Sequence, residues 1–308
     1  MNGSGSALAE RHGIHGTIPA DLAEVPSGAE QFSPLVPGSP SLEVVAERGL
    51  ASMIVLAPPG TLERRYVLAL SLKALRIGGT LVALAPRNRG GTRLHGELAE
   101  FGVAATETAR AHYRICACVR PERLEGIADA IAAGGPRFVE ATGLWSQPGI
   151  FSWDRIDAGS RLLAAHLPEF EGCGADFGCG VGILARTVLQ SRRVTALGLV
   201  DIDHRAIDAA KRNIADSRAS FQWADATATA TTGLDFVVTN PPFHEGGGEN
   251  RALGLTVARA ASASLRKGGE LWLVANRHLA YAPVLRDAFT SADTVVEDRD
   301  FRVFRAIK

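Results

Sequence analysis

The sequence predicts an α/β protein in two parts. The C-terminal half reads as a mostly parallel, doubly wound sheet with an antiparallel last strand, and a degenerate, truncated copy of the same fold precedes it. Three observations carry this. From Phe151 onward, short apolar segments alternate with amphipathic ones, as strands joined by helical crossovers do. The last two segments, 294–297 and 301–307, alternate instead with period two and read as a closing hairpin. Finally, Ala74-Leu75-Arg76-Ile77-Gly78-Gly79-Thr80-Leu81 is matched by Ser264-Leu265-Arg266-Lys267-Gly268-Gly269-Glu270-Leu271 in the second half.

Taken in order, residues 1–42 are rich in Gly, Pro, Ser and Ala and are expected to be a flexible leader with little regular structure. A first domain, 43–140, begins with a strand at 53–56, a helix at about 62–76 and a strand at 80–85, and ends at a linker near Gly134-Gly135-Pro136. The second domain, 149–308, places strands at 175–177, 196–201, 221–224, 235–239 and 270–275. Helices are expected at 183–190, 204–215, 250–266 and 282–289. After its strand the first copy has Ala57-Pro58-Pro59-Gly60 where the second has Asn240-Pro241-Pro242-Phe243. In the second copy a Gly-rich turn starts 64 positions before Asn240, but only 56 residues precede Ala57. The first copy is therefore expected to lack that turn and the ligand it would hold.

Bulk properties exclude several classes. No apolar run approaches the roughly 20 residues of a membrane helix. The small, polar start is unlike a signal peptide. Four cysteines show no disulfide framework and no CxxC; Cys116-Ala117-Cys118 is too closely spaced for a zinc knuckle and reads as buried thiols. A reducing cytoplasm fits, and no metal site is expected. The formal net charge of zero means that nucleic-acid contacts must come from local patches. The sequence carries no signal for an oligomeric state, and a monomer is favoured.

Two constellations carry chemistry. Asp176-Phe177-Gly178-Cys179-Gly180-Val181-Gly182 ends a strand and opens a helix, where glycines let the backbone approach a ligand and the helix start favours negative charge. A dinucleotide GxGxxG would need Gly at 183, which is Ile. The next strand ends in Asp201, a carboxylate suited to both ribose hydroxyls, with Asp203 as second choice. Asp225 ends the third and is placed to accept from an adenine amine. A strand-end acid is commonly a turn residue; three at successive strand ends make a pattern.

The second constellation is Asn240-Pro241-Pro242-Phe243-His244. Two prolines directly after an apolar strand can neither continue a sheet nor start a helix, so they set a rigid loop. The Asn240 side-chain oxygen and the Pro241 carbonyl can accept both N–H bonds of a planar amine, and Phe243 can stack on the ring that bears it. Holding those protons favours pyramidalisation and aims the lone pair at the carbon to be transferred. Catalysis is then positioning and electrostatics, and His244 need not act as a base.

These motifs resemble those of class I, Rossmann-like S-adenosylmethionine-dependent methyltransferases acting on planar amines. The longer pattern is similar to the bacterial ribosomal RNA small-subunit methyltransferase C family. It comprises Gly149-Ile150-Phe151-Ser152, Asp157-Ala158-Gly159-Ser160-Arg161-Leu162-Leu163, the Asn-Pro-Pro-Phe-His run, Val274-Ala275-Asn276, and Phe301 to Ile307. It spans essentially 149–308. The resemblance implies S-adenosylmethionine as cofactor, held by Asp176, Gly178, Cys179, Gly180, Gly182, Asp201, Asp225 and Asn240. It implies methylation of a guanine N2 amine in ribosomal RNA, with Asn240, Pro241, Pro242 and Phe243 catalytic and Phe243 and His244 at the substrate. An adenine N6, a protein glutamine, or a non-catalytic ribosome-assembly role are the alternatives. The family too carries a degenerate N-terminal copy, although the one here is shorter. Separately, the Gly-rich basic loop of Arg87, Arg89 and Arg93 is a candidate for RNA phosphates, or a solvated surface loop.

Overall fold

The structure is a computed structural model that describes residues 10–228, 230–241, 244–245, 248–249, 251–279 and 281–308. Pro242 and Phe243 lie outside the described residues, as does the side chain of His244. The chain divides after Gly135 into two units.

In the N-terminal unit the elements are β1 (His12–His15), β2 (Glu30–Gln31), β3 (Leu50–Leu56), α1 (Thr61–Ala74), β4 (Leu75–Pro86), α2 (Leu94–Glu100), β5 (Ala105–Arg110), β6 (Tyr113–Val119) and α3 (Ile127–Gly134). Its sheet runs β2-β1-β3-β4-β6-β5, with β6 antiparallel to both neighbours. The C-terminal unit opens with the hairpin β7 (Arg137–Val139) and β8 (Leu144–Ser146). Then come α4 (Ala158–Ala164), β9 (Gly172–Phe177), α5 (Ile183–Val188), β10 (Val194–Asp201), α6 (His204–Asn213), β11 (Ala219–Trp223) and β12 (Leu234–Thr239). A short hairpin, β13 (His244–Glu245) and β14 (Gly248–Glu249), leads to α7 (Arg251–Ser264), β15 (Leu265–Asn276), α8 (Tyr281–Ala288), β16 (Ser291–Glu297) and β17 (Phe301–Ile307). This sheet runs β11-β10-β9-β12-β15-β17-β16, and β17 is antiparallel to both neighbours. Strand β12 is largely apolar, with Leu234, Phe236, Val237 and Val238 all buried, because both its faces are covered. Phe236 and Val238 join one apolar cluster, Leu234 and Val237 the other.

The first sheet is the second without its β11 edge, and the correspondence reaches the backbone. Leu50 pairs with Leu75 and the register then jumps to Ser52 with Thr80; Leu234 pairs with Leu265 and jumps to Phe236 with Glu270. Gly78 and Gly268 both hold φ at 77°, which a side chain resists. Each copy ends its last strand in a cation turned onto a helix end. Arg120 Nε donates to Leu72 O at 2.8 Å, and Lys308 Nζ to Ser262 O at 2.7 Å. The electronegative C-terminal turn of the equivalent helix thus accounts for a buried arginine.

Two expectations need correction. The stretch expected as a flexible leader with little regular structure is, over its described residues 10–42, tied into the sheet, because β1 and β2 lie within it and β1 pairs along β3. The strand has little apolar patterning; it sits there because Gly13 has no side chain, and a Cβ would come within 2.6 Å of Met53 Sδ. By sheet order β1 is the counterpart of β9, so the first copy did have room for this central strand. It is shortened because no α-helix lies between β1 and β2, where α5 lies between β9 and β10. The hairpin of β5 and β6 was also unforeseen, since β5 is polar and exposed. Helix α1 stops at Ala74, two residues early, because Leu75 already pairs with Leu50.

At the loop after β3, Arg64 is fully buried. It donates to Pro58 O at 3.2 Å and Pro59 O at 2.8 Å, and its Nε and Nη2 each reach Glu97 at 2.7 Å. Proline carbonyls of the decayed loop are thus taken by an internal cation. Removing one partner of such a pair leaves a buried charge uncompensated. Glu97→Ala should cost about 3–5 kcal/mol, and the apolar pair Arg64→Met with Glu97→Leu should recover most of it. Denaturant unfolding measures both; a loss below about 1 kcal/mol for Glu97→Ala would place the pair among the weak surface bridges.

Candidate active site

The parallel strands β10, β9 and β12 end at one edge, with Val200 level with Phe177 and Phe177 level with Thr239. Chain order reverses between β9 and β12, the crevice where open α/β sheets bind ligands. Asp176, the Gly-rich turn, Asp201 and Asn240 all meet there. In the turn, Gly178, Gly180 and Gly182 hold φ at 72°, 52° and 90°. A Cβ at Gly182 would strike Ile214 Cδ1 at 2.7 Å, whereas at Gly180 it would meet nothing within 4 Å. One glycine serves packing, and the other leaves open space for a ligand.

The two acids are unlike. Asp201 Oδ2 accepts from Gly180 N at 2.8 Å and its Oδ1 from Asp203 N at 2.9 Å, tying the turn to the end of β10. Asp176 is fully buried; its Oδ2 accepts from Ala185 N at 3.2 Å, and its Oδ1 has no hydrogen-bond partner. Burial first, and then the neighbouring Asp201, push the Asp176 carboxyl up to about 8. Burial pushes Asp201 up to about 6, against the pull of its backbone donors. Cys179 beside them is buried, and burial raises its thiol well above the ordinary range. Such a place suits a ligand that brings positive charge and donors.

Asp203 caps α6 and pairs with Arg205 at 2.8 Å, so its carboxylate is engaged structurally. Asp225 is exposed, and its Oδ1 accepts from Thr227 N and Oγ1 at 2.8 and 2.7 Å, a turn role that leaves its other oxygen to offer.

Asn240 is held by residues that received no role from the sequence. Its Nδ2 donates to Asp157 Oδ2 at 2.9 Å and to Ser160 Oγ at 2.8 Å. Asp157 caps α4 and also accepts from Ser160 N at 2.8 Å. A carboxylate only accepts, so the amide must present its NH₂ to Asp157. Both amide protons are then engaged, and what Asn240 has left to offer is an acceptor oxygen. Thr239 Oγ1 donates to Phe177 O at 2.7 Å and locks the two strand ends together. The signal for this support was the Asp157-to-Leu163 run, visible in the sequence but without an assigned chemistry.

Arg87, Arg89 and Arg93 lie on the turn after β4 in the N-terminal unit. Arg87 and Arg93 are exposed, and Arg93 Nη1 donates to Thr61 Oγ1 at 3.0 Å. Cys116 and Cys118 are buried, while Cys173 is exposed. Among the described residues, no group of three His, Cys, Asp or Glu could hold a metal ion, and no helix is long and apolar enough to cross a membrane.

Residues 141–305 match the methyltransferase small domain. The chain belongs to that family. It is 31% identical over 307 residues to ribosomal RNA small subunit methyltransferase C of Pseudomonas paraeruginosa, covering 94% of this chain and 92% of that protein. Ribosomal RNA large subunit methyltransferase G of Streptomyces griseus is 37% identical over 168 residues, but these are 52% of this chain and 44% of that protein. The fold is that of the Thermus thermophilus 16S rRNA N2 G1207 methyltransferase, whose structure is a complex with AdoMet and guanosine. The TM-score is 0.74 at 21% identity, covering 97% of this chain and 88% of that one. Both units of this methyltransferase small-domain protein therefore have their counterpart in a single solved chain.

The buried acids give this methyltransferase a pH signature. Asp176 is protonated in the folded protein up to about pH 8 but only to about 4 when unfolded. The native state therefore binds more protons across that window, and its unliganded stability should fall as pH rises through it. A cationic ligand favours the ionised carboxylates, so S-adenosylmethionine affinity should climb over the same range and flatten above it. Asp176→Asn should weaken the fall in stability. Melting and calorimetric titration from pH 5 to 9 would sink this reading if stability rose with pH.

Proposed function

We propose that this protein transfers the methyl group of S-adenosylmethionine to the exocyclic N2 amine of a guanine in small-subunit ribosomal RNA. The observation that carries the chemistry is the Asn240 amide, turned by Asp157 and Ser160 so that its oxygen serves as an acceptor. The near full-length kinship with small subunit methyltransferase C supports the substrate. The higher identity, over 168 residues, to large subunit methyltransferase G favours, as a second reading, a guanine in large-subunit RNA.

S-adenosylmethionine supplies an electrophilic methyl group on a sulfonium. The chain's own residues hold it and present the acceptor. Gly178, Gly180 and Gly182 keep the backbone open beside it, next to the buried Cys179. Asp201 accepts the ribose hydroxyls, Asp225 accepts from the adenine amine with its second oxygen, and Asp176 Oδ1 gains the donor or cation it lacks. The guanine reaches the crevice unpaired or flipped out. Asn240 Oδ1 and the Pro241 carbonyl accept its two amine protons, Pro242 stiffens the loop, and Phe243 stacks on the ring beside His244. The amine lone pair is thereby directed at the methyl group; as the N–C bond forms the sulfur–methyl bond would break to leave S-adenosylhomocysteine, and the surplus amine proton would pass to solvent, with no general base invoked. Arg87, Arg89 and Arg93 take RNA phosphates.

Asn240→Ala should lose most methyl transfer while largely keeping cofactor affinity, and Phe243→Ala should cost about 1–3 kcal/mol in base stacking. Asp201→Ala should weaken cofactor binding by about 1.5–3 kcal/mol. Single-turnover assays and calorimetry check these; wild-type turnover by Asn240→Ala would end the mechanism. Nucleoside mass spectrometry of both ribosomal RNAs and of ribosomal proteins from a deletion strain names the target. Loss of N2-methylguanosine from small-subunit RNA is expected, whereas loss of N6-methyladenosine or methylglutamine would redirect the assignment. Calorimetric stoichiometry should be one S-adenosylmethionine per chain, since the first copy has Ala57 for the asparagine and an arginine on its loop carbonyls.

A further inference from the structure

At the same edge of the C-terminal sheet, beyond the end of β12, a cavity of about 440 Å³ is lined by Asn276, Arg277, His278, Arg299, Asp300 and Arg302. Its lining carries three guanidinium groups and one carboxylate, and Glu297 beside it pairs two of the three, leaving Arg299 as the cation without an ion pair among the described residues. We infer that this cavity is a docking site for a phosphodiester of the RNA backbone next to the target guanine, which rests on the RNA reading above.

Position comes first. Strand β15 neighbours β12 with Leu273 level with Thr239, and Asn276 ends β15 opposite Phe301. Three residues of strand and one or two strand widths put the cavity roughly 10–15 Å from Asn240. Helix α4 joins the two places. Its first turn holds Asn240 through Asp157 and Ser160, and Gly159 lies against the ring of Phe301, where a Cβ would sit 3.0 Å from Cε1. Phe301 is flanked by the lining residues Asp300 and Arg302.

The site is also built rather than incidental. Asp298 Oδ1 accepts from Asp300 N at 2.9 Å and Phe301 N at 2.7 Å, while Asp298 N donates to Phe301 O at 2.9 Å. This tight turn presents Arg299 at its tip, exposed and with no ion pair among the described residues. Glu297 pairs Arg277 at 2.6 Å and Arg302 at 2.5 Å, fixing both guanidinium groups. Donors fixed in advance lose little freedom on binding. The duplicated half repeats the feature: Arg87 N donates to His112 O and Arg277 N to Asp300 O, each at 2.8 Å, so the two arginines are counterparts. The loop of the first copy lost its asparagine, yet a basic residue stands at this position in both.

Salt-titrated binding of the full chain to deproteinised small-subunit ribosomal RNA tests the proposal. Arg299→Glu should weaken binding several-fold, and Arg299→Ala should flatten the logarithmic salt dependence by about 0.7–0.9 per lost contact. Arg299→Lys should restore most of the slope, and S-adenosylmethionine affinity should be unchanged throughout. Because binding needs no turnover, the result stands apart from which base is methylated. An unchanged slope and affinity in Arg299→Glu, with the wild type binding the RNA, would overturn the docking site. Wild-type protein that fails to bind ribosomal RNA would overturn it together with the RNA reading.

Discussion

The catalytic half is organised around the orientation of one amide. Asn240 follows a strand buried on both faces, and by itself its side chain could present either a donor or an acceptor. Asp157 and Ser160 decide between them by engaging both amide protons. The proposed recognition of an amine depends on that choice, because a donor at this position would repel the protons of such a substrate. Asp157 belongs to a short helix far back in the sequence, so the chemistry of the loop depends on how α4 packs on β15 and β17. The bonds from Thr239 to Phe177 and from Asp201 to Gly180 extend the same logic, fastening the strand ends so that the crevice is set before a ligand arrives.

The two copies share a fold and differ at its carboxyl edge. Register, the glycine at φ 77° and the cation on the helix end are kept in both, since all of them serve the sheet. What changed lies at the carboxyl edge. The helix after the first central strand is gone, Asn has given way to Ala57, and Arg64 fills the space beside the loop while donating to its proline carbonyls. The buried guanidinium is compensated by Glu97, which pairs with it at 2.7 Å.

Much of this was legible in the sequence. The strand–helix alternation, the antiparallel hairpin, the Gly-rich turn and the duplicated Gly-Gly segment are local patterns, and local patterns survive in one dimension. Strand β1 was not legible, because it is held by the absence of a side chain at Gly13 and by neighbours far along the chain. Nor was the Asn240 support, since Asp157 reads as an ordinary helix cap until the fold brings Asn240 to it. Asp203 shows the converse: it is a plausible ribose acid by position, yet the structure spends its carboxylate on Arg205. The cluster of arginines at the ends of β15 and β17 was equally hidden, being assembled from two segments separated by a helix and a strand.

Asp157 is proposed to act by orienting Asn240, and the most direct measurement of that is a double-mutant cycle on single-turnover methyl transfer. Asp157→Ala and Asn240→Ala would be compared singly and together, with folding checked by unfolding midpoint. If Asp157 works by orienting Asn240, the double variant is no slower than Asn240→Ala alone, and the coupling equals in size the whole loss seen in Asp157→Ala. Additive losses would contradict this, showing that the two residues contribute independently and that the amide orientation is not what makes the site.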